Sequence, residues 1–169
     1  MPRRISSTVG FLNLALTYAR EGSYEKALPL VKRIEKKGSL SSDYLRKLAL
    51  VHSYGGRLSA SEACWIEIER RNEMKSGDFF MLGSLQVDLS KTDLAIRSLE
   101  SEMFLASTTA NHFFLVSTAV TLSHLLIHKQ EYQRATAALA LIAIDDGDFI
   151  PSVGYRTKAD LLREIPSLQ

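Results

Sequence analysis

Cysteine, which can cross-link a small fold through disulfide bonds, is scarce in this sequence. So are proline and glycine, which interrupt helices and strands. Its 169 residues include one cysteine, four prolines and nine glycines. A lone Cys64 excludes an intramolecular disulfide framework and a cysteine-cluster metal site, which fits a reducing compartment, and we expect a cytoplasmic protein. Few prolines and glycines favour long helices over a β-architecture with many turns. The length predicts one domain, residues 1–169, with an all-α fold.

A strong charge of one sign is also missing, because the formal net charge is only +2. The charges are nevertheless unevenly distributed: residues 1–75 carry 14 Lys and Arg against 8 Asp and Glu, and residues 76–169 carry 7 against 11. A basic half is typical of a solvated surface and, less often, of a nucleic-acid site. No aromatic platform is interleaved with the basic residues, so nucleic-acid binding is the less favoured alternative. That alternative would use Arg46, Lys47, Arg57, Arg70 and Arg71.

Long apolar runs of the kind that span membranes are missing as well. Arg3 and Arg4 precede an apolar stretch at residues 9–19, as in a signal peptide. Asn13 interrupts that stretch, however, and its apolar residues also fit a helical repeat. Residues 103–128 contain no Asp, Glu, Lys or Arg, yet they include histidines, an asparagine and seven Ser or Thr. This composition is too polar for a membrane span, so we predict neither a cleaved leader nor a spanning helix.

What the sequence does contain is an internal period of 34 residues. Leucine followed by a small residue recurs at this spacing, and a second small residue follows each leucine after 13 positions. The three copies are Leu14-Ala15 with Ala27, Leu48-Ala49 with Ser61, and Leu82-Gly83 with Ala95. A fourth copy, Leu122-Ser123 with Ala135, arrives after 40 residues. Small residues at these positions let two antiparallel helices approach closely, so each copy predicts a helical hairpin.

The order of residue types within the period resembles the tetratricopeptide repeat family. The first copy matches best, with Phe11, Leu14, Ala15, Tyr18, Gly22, Tyr24, Ala27, Val31 and Ile34 at the family's positions. The resemblance implies a right-handed α-α superhelix, a solenoid of about four helical hairpins plus a C-terminal capping helix. The repeats would span about residues 8–41, 42–75, 76–109 and 116–149, with the last helix at about residues 155–166.

Some positions depart from the family's pattern or extend it. Glu102 replaces an apolar residue, and Gln86 replaces an aromatic one. Residues 110–115 are predicted to extend the first helix of the last hairpin. Residues 135–144 are apolar all round, which predicts burial on more than one side. The glycines predicted to adopt a left-handed conformation where helices end are Gly22, Gly55 and Gly56.

Residue patterns that favour catalysis or metal binding are weak. His124 and His128 lie four residues apart, as metal ligands on one helix face do, but no third ligand is indicated. Three aspartates at residues 145–148 lack the spacing of a calcium loop, and Cys64 stands beside Trp65 on a helix expected to face the core. We therefore predict a non-enzymatic protein with no catalytic residues, no cofactor and no metal.

The resemblance places function on the concave surface formed by the first helix of each hairpin. Transferring the family's groove positions gives Val9, Leu12, Leu16, Ala19, Arg46, Leu50, Phe80, Ser84, Val87, Val120, His124 and Ile127. This set is mostly apolar, and Leu12 and Leu16 occupy places where carboxylate-binding members carry polar residues. The expected partner is an amphipathic or extended apolar segment of another protein. In size and repeat count the chain looks like the small chaperones of this family in bacterial type III secretion systems.

Two alternatives remain open for the same surfaces. The chain's own N- or C-terminal segment would cover part of the groove in the first alternative. In the second, the protein is a self-assembling structural subunit, whose apolar stretch at residues 113–144 forms a homo-oligomer interface.

Overall fold

The protein is mostly helical, and neighbouring helices pack against each other. The computed structural model describes residues 8–36, 38–150 and 153–166. The chain forms two compact units, Met1–Met74 and Lys75–Gln169. Their boundary falls where the sequence predicts the second hairpin to end and the third to begin. No helix in the described part of the chain is both long and apolar enough to cross a membrane.

The first unit consists of two helical hairpins with the predicted period. Its helices are α1 (Thr8–Arg20), α2 (Tyr24–Glu35), α3 (Ser42–Tyr54) and α4 (Leu58–Arg70). The predicted small residues are buried where the helices of each hairpin meet, as Ala15 and Ala27 show. In the second hairpin, the Ser61 hydroxyl donates a hydrogen bond to the Ala49 carbonyl oxygen at 2.9 Å. The buried Ser61 hydroxyl is therefore hydrogen-bonded, and the serine is still small enough for α3 and α4 to pack closely.

The turns between paired helices repeat one backbone geometry. Gly22 has φ 73°, its N–H donates to the Ala19 carbonyl, and the N–H of Ser23 donates to the Tyr18 carbonyl. These two bonds are the Schellman arrangement that satisfies the last carbonyls of a helix. Gly56 has φ 70° at the equivalent place, as predicted. The prediction for Gly55 is wrong, since its φ is −83°.

The second unit contains two further hairpins and a C-terminal extension. The helices are α5 (Asp78–Asp88), α6 (Thr92–Thr108), α7 (His112–His128) and α8 (Tyr132–Leu139). The strands β1 (Gly147–Ile150) and β2 (Gly154–Thr157) follow, and then helix α9 (Lys158–Glu164). The strands pair antiparallel, with Phe149 opposite Tyr155. The prediction that residues 110–115 lengthen the first helix of the last hairpin is confirmed only for residues 112–115, because α7 begins at His112 and Ala110 lies in the preceding turn with φ 53°.

The C-terminal extension corrects two predictions. Helix α8 ends at Leu139, and both Leu141 and Ile144 are exposed, so residues 135–144 are not buried on several sides. Residues 154–157 form a strand, so the final helix begins at Lys158, inside the predicted range of about 155–166 but three residues after its start. A capping box between Thr157 and Asp160 starts this helix, because each side chain bonds the other residue's backbone N–H.

A single apolar core joins this extension to the last hairpin. Ile142, Ile150 and Leu161 are buried, and they belong to the same cluster as Leu122 and Leu126 of α7. Strand β1 and helix α9 both pack against α7. The C-terminal segment is thereby held against the first helix of the fourth hairpin.

Candidate binding surfaces

The groove residues predicted in the first unit divide into buried and accessible ones. Leu12 and Ala19 are buried, so the prediction that they contact a partner is wrong for this conformation. Both belong to the core because they lie on the inner side of α1. Val9 is exposed, and Leu16 and Leu50 are partly exposed.

Arg46, the one basic residue in the predicted groove, is engaged within its own unit. Its guanidinium donates to the Asp43 carboxylate at 2.9 Å and also to the Glu73 carbonyl oxygen. Arg70 and Arg71 both donate to Glu67, and these hydrogen bonds lower the pKa of that carboxyl to about 2. Arg46, Arg70 and Arg71, three of the five residues that a nucleic-acid site would use, therefore already form hydrogen bonds with carboxylates or carbonyl oxygens of the first unit.

In the second unit, the C-terminal extension covers part of the predicted surface. Val120 and Ile127 are buried in the cluster that contains Ile150 and Leu161. The prediction that these two α7 residues line an open groove is therefore wrong. The cause lies in the tertiary structure, because β1 and α9 pack along the face of α7 that the repeat pattern assigns to a partner.

Four predicted groove residues remain partly exposed in this unit. They are Phe80, Ser84 and Val87 on α5, and His124 on α7. Three of the four line one cavity of about 70 Å³. The cavity is lined by Ser84, Val87, Thr121, His124, Leu125 and Ile150. Helices α5 and α7 and strand β1 thus each contribute to its wall.

His124 is the only ionisable residue among those that line this cavity. Burial is the main cause that lowers its pKa below 6.5, and the charges of His128 and Arg156 act in the same direction while Glu164 opposes them. The rings of His124 and His128 meet edge to face, with centroids 4.4 Å apart. The Nδ1 atom of His124 is buried and has no hydrogen-bond partner. Among the described residues, no group of three His, Cys, Asp or Glu side chains could hold a metal ion.

Glu102, which departs from the repeat pattern, holds the start of α5. Its buried carboxylate accepts hydrogen bonds from the Gly77 N–H at 2.7 Å, the Ser76 hydroxyl at 3.1 Å and the Phe80 N–H at 3.4 Å. A carboxylate at this end of a helix satisfies free N–H groups and interacts favourably with the helix dipole. The sequence marked Glu102 as unusual, but it gave no indication of this role.

A second buried polar group lies in the first unit. His52 is buried, with its Nδ1 3.2 Å from the Tyr24 hydroxyl and its Nε2 3.5 Å from the Glu35 carboxylate. Burial is the main cause that lowers the pKa of His52. Burial, with the charge of Glu35, also raises the pKa of the Cys64 thiol to about 11. At neutral pH this thiol is protonated and is therefore a poor nucleophile.

Large apolar side chains are also exposed in the second unit. Phe104 is 73% exposed and Phe113 is 68% exposed, and both lie close in sequence to the turn between α6 and α7. Phe149 and Tyr155 face each other across the strand pair and are exposed as well. The sequence contains no hairpin signal strong enough to have identified this last pair.

The candidate site thus comprises the partly exposed faces of α1 and α3 in the first unit, the partly exposed face of α5 in the second unit, and the small cavity beside α5. The chain matches no protein-family model, no curated protein and no solved structure. The surfaces themselves therefore supply the basis for a functional proposal.

Proposed function

We propose that this protein is a non-enzymatic protein-binding module of the tetratricopeptide type, in which the hairpins continue as a right-handed superhelix. It binds an apolar helical or extended segment of a partner protein, and it acts as a cytoplasmic chaperone or adaptor, such as a type III secretion chaperone. Support comes from the 34-residue spacing between corresponding helices of the first unit and from the Schellman turns within hairpins.

The observation that carries the proposal is the partial exposure of apolar side chains on the first helices of three hairpins. Leu16 on α1 and Leu50 on α3 in the first unit, and Val87 on α5 in the second, are partly exposed, whereas Leu12, Leu48 and Leu82 of the same helices are buried. Apolar side chains that stay accessible on repeated helix faces provide a surface for a complementary apolar segment.

Charge substitutions on this surface test the proposal. Tagged full-length protein would be used to capture partners from the source cells, and recovered partners would be quantified by mass spectrometry. Leu16→Glu and Leu50→Glu should reduce recovery of a specific partner at least about tenfold, because an unpaired carboxylate is then placed in the apolar contact.

Ile66→Glu is the matched control, since Ile66 is an exposed apolar residue on α4, the second helix of its hairpin. Circular dichroism would establish that all variants are folded. Retention of every partner by both groove variants, or an equal loss with Ile66→Glu, would refute the proposal.

Self-assembly is the second candidate function, and the exposure of Phe104 and Phe113 favours it. Both phenylalanines are largely exposed, and aromatic side chains are enriched at protein interfaces. Light scattering at micromolar concentration should then report an oligomer that Phe113→Ser dissociates. A soluble monomer at that concentration would exclude this candidate.

A further inference from the structure

In the first unit, α1 and α3 lie side by side and contribute corresponding residues to one surface. The Lys47 Nζ atom donates a hydrogen bond to the Asn13 Oδ1 atom at 2.9 Å, and the Arg20 guanidinium lies 5.8 Å from the centre of the Tyr54 ring. Each contact joins residues 34 positions apart, which is one repeat period. The two contacts are two helical turns apart on each helix, so α1 and α3 run in the same direction along this surface.

Two leucines lie between these contacts. Leu16 comes three residues after Asn13 and four before Arg20, and Leu50 has the corresponding position on α3. Residues three and four positions apart share one face of a helix, and both leucines are partly exposed. This α1–α3 surface thus has an apolar centre and a cation at each end. With a rise of 1.5 Å per residue, its two ends are about 10 Å apart.

The cations at the two ends have no carboxylate partner in the described part of the chain. Lys47 is hydrogen-bonded to an amide, and Arg20 lies over an aromatic ring, so both keep their full positive charge. Helix α1 contains no Asp or Glu, and the one acid of α3, Asp43, is bonded to Arg46 at 2.9 Å. The α1–α3 surface therefore attracts acidic groups.

A complementary partner combines carboxylates with apolar side chains at the same spacing. A helix lying along α1 and α3 would present carboxylates seven residues apart, with apolar residues three and four positions after the first one. We propose that the α1–α3 surface docks an acidic amphipathic helix of the partner protein. Its carboxylates pair with Arg20 and Lys47, and its apolar side chains cover Leu16 and Leu50. The inference rests on the proposed function, because it specifies the charge and conformation of that partner segment.

Two synthetic peptides test this docking on the full chain. The acidic peptide is a 16-residue helix of alanine and glutamine, with leucine at positions 1, 8, 9 and 16 and glutamate at positions 5 and 12. The neutral peptide has glutamine in place of both glutamates. NMR signals of the Leu16 and Leu50 methyl groups would be followed during titration. We expect saturable shifts with both peptides and about fivefold tighter binding of the acidic one at low salt, as two exposed ion pairs supply. Salt at about 0.5 M should remove most of this difference, because it screens exposed charges.

Matched double substitutions test whether these two cations are responsible. Arg20→Gln combined with Lys47→Gln should weaken binding of the acidic peptide about fivefold and leave the neutral peptide unaffected. Lys32→Gln combined with Lys36→Gln removes the same charge from the end of α2, outside the α1–α3 surface, and should preserve the preference. Circular dichroism would establish that both variants are folded.

Several results would overturn the inference. They are equal affinity for the two peptides at low salt, an equal loss in the α2 variant, and no saturable shift with either peptide. Methyl signals of Leu16 and Leu50 that shift with protein concentration alone would instead identify a second copy of the chain as the occupant.

These outcomes are separable from those for the proposed function. Capture of a partner that depends on Leu16 and Leu50, together with equal binding of the two peptides, would contradict the acidic helix alone. A preference for the acidic peptide in a protein whose captured partners do not depend on these leucines would contradict the function and leave the docking surface supported.

Discussion

Replacing Glu102 with glutamine tests whether a buried carboxylate positions helix α5. The substitution keeps the size of the side chain and removes its charge. In the native protein, one carboxylate oxygen accepts from Ser76 and Gly77, and the other accepts from the Phe80 N–H. In the glutamine variant, an amide oxygen can replace only one of these oxygens, and the amide NH₂ then faces an N–H donor.

The expected loss of stability follows from these three hydrogen bonds. Two bonds to a charged acceptor become bonds to a neutral one, which costs about 0.5–1 kcal/mol each. The bond from Phe80 is lost at about 1 kcal/mol, since its N–H is left partly buried and unpaired. Together these changes predict a decrease of about 2–3 kcal/mol in the free energy of unfolding of the second unit.

Urea unfolding and amide hydrogen exchange would measure this decrease. Exchange at Gly77 and Phe80 should accelerate more than exchange at α7, because the start of α5 loses its hydrogen-bond acceptors. Glu100→Gln is the matched control on the same helix, where an exposed carboxylate pairs with Arg134, and it should change stability by less than about 0.5 kcal/mol. If Glu102→Gln is as stable as this control, the carboxylate does not position α5.

Three further predictions concern the first unit. Gly55→Ala should destabilise it by about 1–3 kcal/mol in urea unfolding, because a Cβ would lie 2.2 Å from the Tyr24 ring, and wild-type stability would contradict that contact. Because the pKa of His52 is lowered in the folded protein, its imidazole binds a proton more tightly in the unfolded chain. The free energy of unfolding should therefore decrease as the pH falls below 6.5, and His52→Gln should remove that pH dependence in urea unfolding. Cys64 should react with a thiol reagent at pH 8 far more slowly in the native protein than in urea, and equal rates would show that the thiol is not buried.

The helical hairpins could be predicted because their signals are local. Leucine followed by a small residue marks the contact between paired helices, and that contact depends on residues 12 or 13 positions apart. The turns were identified where glycine supplies the positive φ, as at Gly22 and Gly56. The equivalent turns at Ser90 and Gln130 adopt φ 58° and 61° without glycine, so their sequence carries no such signal.

The candidate site was harder to predict, because accessibility is not a local property. Leu16 and Leu12 are both apolar residues of one helix, yet one is partly exposed and the other fully buried. Ser84 and His124 were placed in the predicted groove, but Thr121 and Ile150, which complete the cavity with them, were not. Ile150 reaches it only because the C-terminal strands fold back along α7.

By itself, the sequence determined the helical class, the period and the places where paired helices meet, since these follow from the spacing of small and large residues along one chain. Tertiary structure decided where α8 ends and what covers α7. The apolar residues 135–144 contain no strong stop signal, yet the helix ends at Leu139 and the chain turns back, with the Lys158 N–H bonded to the Asp146 carbonyl and Leu161 buried in the core. Packing of residues distant in sequence therefore decided which apolar surface remained accessible for binding.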